Sequence, residues 1–225
     1  MSLKGKIYGL VGVIGSGKSY QAEALMVGAA CEERPMIMGD FSEGIRQTLM
    51  NIFTGESKKI DCTGEAYAKW KQLSSDILLP FKPQEESPNI LDSVRVEGRE
   101  LLQRTGEYLK SLAGEDVWAR WTANAVTNRW TKMSEEDALM CDIVFGSLRF
   151  DCEAEAIFKV AEATGKEVKI YFCDYHSDSY ELNDHVSEKF AQYFLSLGCK
   201  DGDDITELVL SLIHISEPTR LRRIS

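Results

Sequence analysis

A chain of 225 residues, 44% hydrophobic and 28% charged, holds enough apolar sequence for one sizeable core and has the composition of an ordinary globular protein. Its formal charge of −10 excludes broad electrostatic attachment to nucleic acid, which depends on Lys and Arg displacing counterions from phosphates. No apolar run is long enough to span a bilayer and no early segment has the pattern of a secretion signal, so a cytoplasmic location without a membrane partner is expected.

Taken in chain order, "KIYGLVGV" (Lys6 to Val13) is a short β-forming apolar run closed by glycines, the pattern of a buried parallel strand. A helix is predicted from Lys18 to Cys31, with Ala22, Leu25, Met26 and Ala29 on one face. "PMIMGDF" (Pro35 to Phe41) reads as a second strand with Asp40 at its carboxyl end, followed by a helix over Gly44 to Phe53. The polar stretch from Thr54 to Asn89 carries Pro80, Pro83 and Pro88 and is expected to be irregular, with one helix around Ala66 to Leu73. Helical spacing returns from Leu91 to Met133. "CDIVFGSL" (Cys141 to Leu148) is a buried strand. Ala154, Ile157, Phe158 and Ala161 then mark a helix that stops at Gly165. "EVKIYF" (Glu167 to Phe172) is a further strand, and Tyr193 to Leu197 is taken as the last. Strands alternating with helices predict an α/β fold of three layers around a mainly parallel sheet, with a helical insertion over residues 54–133.

The six cysteines are Cys31, Cys62, Cys141, Cys152, Cys173 and Cys199. They include no C-x-x-C pair and no His at metal-ligand spacing, so they read as reduced thiols.

Between the first strand and first helix, Gly12-Val13-Ile14-Gly15-Ser16-Gly17-Lys18-Ser19 fits G-x-x-x-x-G-K-[ST] without a gap. Glycines at Gly12, Gly15 and Gly17 let backbone N–H groups, with that of Ser16, approach phosphate oxygens. Lys18 can reach the β- and γ-phosphates, and Ser19 can ligate Mg²⁺ at the helix N-terminus. This P-loop predicts binding of ATP with Mg²⁺ but leaves the reaction open, since many activities share it. No N-K-x-D for guanine is present, which argues against a GTPase.

Later segments add a resemblance. "FSEGIRQTL" (Phe41 to Leu49), "GRELLQRTGEYL" (Gly98 to Leu109), "DVW" (Asp116 to Trp118), "SLRFDCEAEAI" (Ser147 to Ile157) and "DHVSE" (Asp184 to Glu188), in this order behind the P-loop, resemble the deoxynucleoside monophosphate kinases of tailed bacteriophages. The resemblance runs to about Leu208 and rests on order and spacing. It implies a P-loop kinase that moves the γ-phosphate of ATP to a nucleoside monophosphate, with Lys18, Arg149 and Asp40 as catalytic candidates. Arg46, Arg99, Gln103 and Trp118 are candidates for binding the acceptor. Such catalysis is mostly positioning and charge neutralisation, which suits Arg99 and Gln103 on one helical face and Arg149 just past a strand. Asp40 has a competing role as a helix cap, Trp70 and Trp118 as core residues, and Glu188 as a local cap or pairing group. The oligomeric state stays open, a homodimer included.

Two departures stand out. Ser147 occupies the position where the family usually has Asp, which would help place Mg²⁺; Asp40, Asp151 or Glu153 could substitute. The segment from Cys173 to Glu188 contains no Lys or Arg, so it brings no cation to a transition state. The loop alone also resembles dephospho-coenzyme A kinase, and a nucleotide-binding module without phosphotransfer is the reading from a different class. Finally, "LSLIHISEPTR" (Leu210 to Arg220) looks like a translated sequencing adapter, so residues 1–209 are expected to form the kinase domain and 210–225 a non-native tail.

Overall fold

The computed structural model describes residues 4–54, 98–174 and 188–221. The helix expected at Ala66 to Leu73 and Trp70 lie outside the described residues.

Strand β1 (Ile7–Val11) leads into helix α1 (Lys18–Cys31), β2 (Met36–Gly39) and α2 (Glu43–Thr54). After these come α3 (Gly98–Ala113), α4 (Val117–Trp130), α5 (Glu135–Met140), β3 (Asp142–Leu148) and α6 (Asp151–Thr164). The described chain closes with β4 (Val168–Phe172), α7 (Lys189–Ser196) and α8 (Thr206–Leu221). The chain forms two compact units, one of residues 1–41 with 122–225 and the other of residues 42–121.

In the first unit the strands are all parallel, in the order β2-β3-β1-β4. Ile7 is paired with Ile143 on one side and Val168 on the other, so β1 lies inside the sheet with neighbours on both edges. Its residues are correspondingly apolar: Ile7, Leu10 and Val11 are buried. Gly9 is paired with Phe145, so these two share a face, and the next residue, Gly146, points to the other. A Cβ on Gly9 would meet Ile157 of α6, whereas one on Gly146 would meet Ala22 of α1. The two helices therefore cover opposite faces, giving the expected three layers. Ile143, Phe145, Leu148, Ile157, Ile170 and Phe172 form the heart of this core. α6 ends as predicted, at Gly165 in the left-handed conformation.

Tyr193 to Leu197 is not a strand. Tyr193 to Ser196 lie in α7, with Leu197 as its C-cap; Phe190, Ala191 and Phe194 of this helix fall on one face and are buried, with Phe194 packed on Phe172 of β4 and edge-on to Phe190. The outer edge of β4 is met instead by the segment before α8: Phe172 N donates to Asp203 O and Ile205 N to Ile170 O.

At the amino ends of the strands, the buried Asp142 carboxylate accepts the backbone N–H of Lys6 at 2.8 Å and pairs with the Arg34 guanidinium. This fixes the start of β3 against the approach to β1.

In the second unit, Leu49 and Met50 of α2 are buried against Ile45 and Leu102. Gly106 of α3 faces the Ile45 side chain, and the ring of Trp118 lies where a Cβ on Gly44 would stand. The Trp118 indole N–H donates to the Gly106 carbonyl at 3.1 Å, so its one polar atom is satisfied inside the packing.

Candidate functional site

β1 ends at Val11, and the eight-residue motif forms the turn from its carboxyl end into α1. The reason it is glycine-rich is steric. A Cβ at Gly12 would collide with the Ser16 hydroxyl and the backbone carbonyl of Cys173, just past β4. Gly15 and Gly17 both have φ near +87°, at 87° and 86°, a region that residues with a side chain rarely adopt. The turn is closed by Ser16 N donating to Val13 O at 3.2 Å, and its base is held to β4 by Cys173 N donating to Val11 O at 2.7 Å. Ser16 is fully buried and Ser19 is exposed at the start of α1. The first-turn amides from Gly17 to Ser19 precede the first helical bond from Gln21 N to Gly17 O, so the open end of α1 faces the turn.

Lys18 is 8% exposed. Its ammonium donates to the carbonyls of Gly12 and Val13, both at 2.6 Å, and lies 3.5 Å from Ser16 Oγ. Burial, and next the like charge of Arg149, bring its pKa down to about 8, against the opposing pull of Glu188. Arg149 follows β3 directly and so lies within electrostatic range of Lys18, two cations brought together at the carboxyl edge of neighbouring strands. The backbone at Arg149 is fixed by Glu153, whose Oε2 accepts from Arg149 N at 2.6 Å and Phe150 N at 3.2 Å. This is the acidic half of a capping box; Phe150, at the cap position, has no side-chain acceptor to supply the other half.

Asp40 lies just past β2 and is buried, and its carbonyl accepts from the Thr122 hydroxyl at 3.4 Å. β2 borders β3, so β3 stands between Asp40's strand and the loop-bearing β1. Ser147 is the penultimate residue of β3 and half-buried. Of the carboxylates expected from the resemblance to serve in place of an Asp at this position, Glu153 is engaged with backbone N–H groups and Asp151 Oδ1 accepts from Cys152 N at 2.8 Å. Among the described residues, no group of three or more His, Cys, Asp or Glu is placed to hold a metal ion.

The acceptor-site candidates belong to the other unit. Arg46, half-buried on α2, has its Nε 3.4 Å from Ser42 Oγ; Gln103 is exposed on α3; Trp118 is enclosed as described above. Arg99 is in the first turn of α3, and its side chain lies outside the described residues.

One residue at the loop was not singled out by the sequence as a loop contact. Glu188, 2% exposed, accepts the backbone N–H of Ile14 through Oε2 at 2.7 Å, across 174 residues. It stands at the N-cap of α7, yet its side chain makes no capping hydrogen bond to that helix. The expected local cap is therefore replaced by a contact with the P-loop. No signal in the sequence marks it beyond its place in "DHVSE".

No protein-family model matches the chain, and no curated protein does. Among solved structures it is similar to a cysteine-to-alanine mutant of the Mycobacterium tuberculosis APS kinase CysC. That similarity covers 87% of this chain and 98% of the other at 15% identity and a TM-score of 0.31.

Proposed function

We propose that this protein binds ATP with Mg²⁺ and transfers the γ-phosphate to a nucleoside or deoxynucleoside monophosphate. The observation that carries the first half is the loop from Gly12 to Ser19. It joins an interior parallel strand to a helix, has left-handed glycines at Gly15 and Gly17, and keeps the cation of Lys18 inside the turn. A triphosphate fits this donor set: the loop and the first turn of α1 offer N–H groups, and Lys18 and Arg149 offer positive charge. Lys18 would exchange the Gly12 and Val13 carbonyls for phosphate oxygens, and Arg149, beyond β3, would neutralise charge on the group in transit. Ser19, exposed at the helix start, would supply the protein's oxygen to Mg²⁺, with the rest from phosphate and water.

The acceptor half rests on the resemblance of the segments after the loop. Arg46, Arg99 and Gln103 are proposed to hold the monophosphate and its base. A second reading, a nucleotide-binding module without transfer, is favoured by Ser147 at the position of the usual Asp.

The deciding experiment measures ADP release from ATP and Mg²⁺ with each common ribo- and deoxyribonucleoside monophosphate, and with dephospho-coenzyme A. Stimulation by one or a few monophosphates supports the kinase. Stimulation by dephospho-coenzyme A alone would move the acceptor to that class, and tight ATP binding without any stimulation would favour the module.

A further inference from the structure

The loop tip has a tether that the turn itself cannot provide. Within the turn closed by Ser16 N to Val13 O, the Ile14 N–H is taken by a carboxylate from a distant part of the chain. That carboxylate is well anchored. Glu188 immediately precedes α7, whose Phe194 is fully buried on Phe172 of β4, and β4 in turn is bonded along its length to β1. The path from Glu188 through α7 and β4 back to β1 is made of packed elements. The hydrogen bond thus spans a closed circuit whose only irregular member is the loop. The carboxylate makes no capping hydrogen bond to its own helix and instead brings a buried, charge-assisted bond to the loop tip.

We propose that Glu188 is a positioning residue of the P-loop: by holding the Ile14 N–H it fixes the loop tip in the shape that turns the following amides, from Gly17 to Ser19, toward a phosphate. The inference rests on the ATP-binding reading for its purpose, while the tether itself does not. Its negative charge also helps to keep the buried Lys18 ammonium charged, opposing burial and Arg149. Glu188 need not touch nucleotide. Pre-setting the loop lowers the ordering cost of binding, the usual benefit of a supporting group behind a binding site.

The test compares the full-length chain with E188Q and E188A in two measurements: amide hydrogen exchange at Ile14 without nucleotide, and ATP affinity. Glutamine keeps a carbonyl acceptor; alanine removes it. The expected result is Ile14 exchange faster by about tenfold or more in E188A and near wild type in E188Q, with ATP affinity falling about tenfold in E188A alone. Exchange at Ile143, whose N–H donates to Lys6 O in the sheet, should stay unchanged in both, which separates a local loosening from global unfolding. Unchanged Ile14 exchange in E188A would overturn the tether. So would E188Q behaving like E188A. Tighter ATP binding by E188A would also overturn the proposal, since the carboxylate would then be a competitor of phosphate. If the wild-type chain binds no ATP, the nucleotide reading falls, and Ile14 exchange still decides whether the tether exists.

Discussion

The carboxylate of Glu153 accepts the backbone N–H of Arg149 at 2.6 Å, so an acid in the first turn of α6 sets the direction in which the chain leaves β3. Glu153 is itself buried, so its removal leaves two backbone donors, Arg149 N and Phe150 N, without that acceptor. E153A is expected to lose about 1–3 kcal/mol of stability and to lower transfer through a displaced Arg149. E153Q, which keeps one acceptor oxygen, should recover most of both. Urea unfolding and turnover measured on the two variants check this; equal behaviour of E153A and wild type would remove the role.

Gly12→Ala places a methyl group against a backbone carbonyl that cannot swing away, that of Cys173. The expected cost is about 2 kcal/mol or more, together with loss of ATP binding, because relief of the clash must part the loop from β4. Thermal melting with and without ATP reads both effects. A Gly12→Ala variant that binds ATP normally would contradict the close approach.

Lys18→Ala and Arg149→Ala are each expected to lower phosphoryl transfer by at least about a hundredfold, with far-ultraviolet spectra unchanged. Turnover near wild type in either folded variant would remove that residue from the proposed machinery.

Arg34→Ala tests the opposite end of the sheet. It leaves the buried Asp142 carboxylate with the Lys6 N–H but without its cation. Removal of one partner of a fully buried pair costs ~3–5 kcal/mol; since the Arg34 side chain is 20% exposed, about 2 kcal/mol is expected. ATP affinity should not change, because the pair lies at the amino ends of the strands and the loop at the carboxyl ends. Chemical unfolding and a binding isotherm separate these outcomes.

Burial pushes the thiols of Cys141 and Cys173 up to about 12 from an ordinary 9.0. A raised folded-state value means that the folded chain holds these protons longer than the unfolded one. The stability they contribute is complete below pH 9.0 and declines as pH rises toward 12. Between pH 9.0 and about 12 the denaturation midpoint should therefore fall more steeply, or rise less, than that of a C141A/C173A variant, since both chains keep the opposite contribution of Lys18, lowered from 10.5 to about 8. Parallel slopes for the two proteins would show that these thiols do not titrate differently on unfolding.

What could be read in the sequence follows physical range. The bounds of α1, Lys18–Cys31, came out of the chain directly, because a glycine turn followed by Lys-Ser and an apolar stripe leaves little choice of start or stop. β3 and β4 were equally visible as apolar runs. Tyr193 to Leu197 misled because five residues of apolar sequence do not distinguish a strand from one face of a buried helix; Phe190 and Phe194, four apart, carry the helical spacing once the window is widened. Strand order was not accessible. Asp40 ends a strand, but only the fold shows that β3 intervenes between that strand and β1. Glu188 was least accessible of all, since its partner is 174 residues away and is a backbone amide, which no side-chain pattern advertises.

The place of β1 inside the sheet has a consequence for how the protein is made. β1 pairs with neither of its sheet partners locally; it must wait for β3 and then β4 to be made, so both of its pairings are long-range. The glycine turn that follows it is synthesised before β2, β3 and β4, yet one wall of its cradle, the carbonyl of Cys173, emerges only after β4. A nascent chain stalled before β4 would carry the complete motif and no cradle. On the proposed function, a nucleotide would reward folding only once β4 has been made, and would not guide the placement of β1.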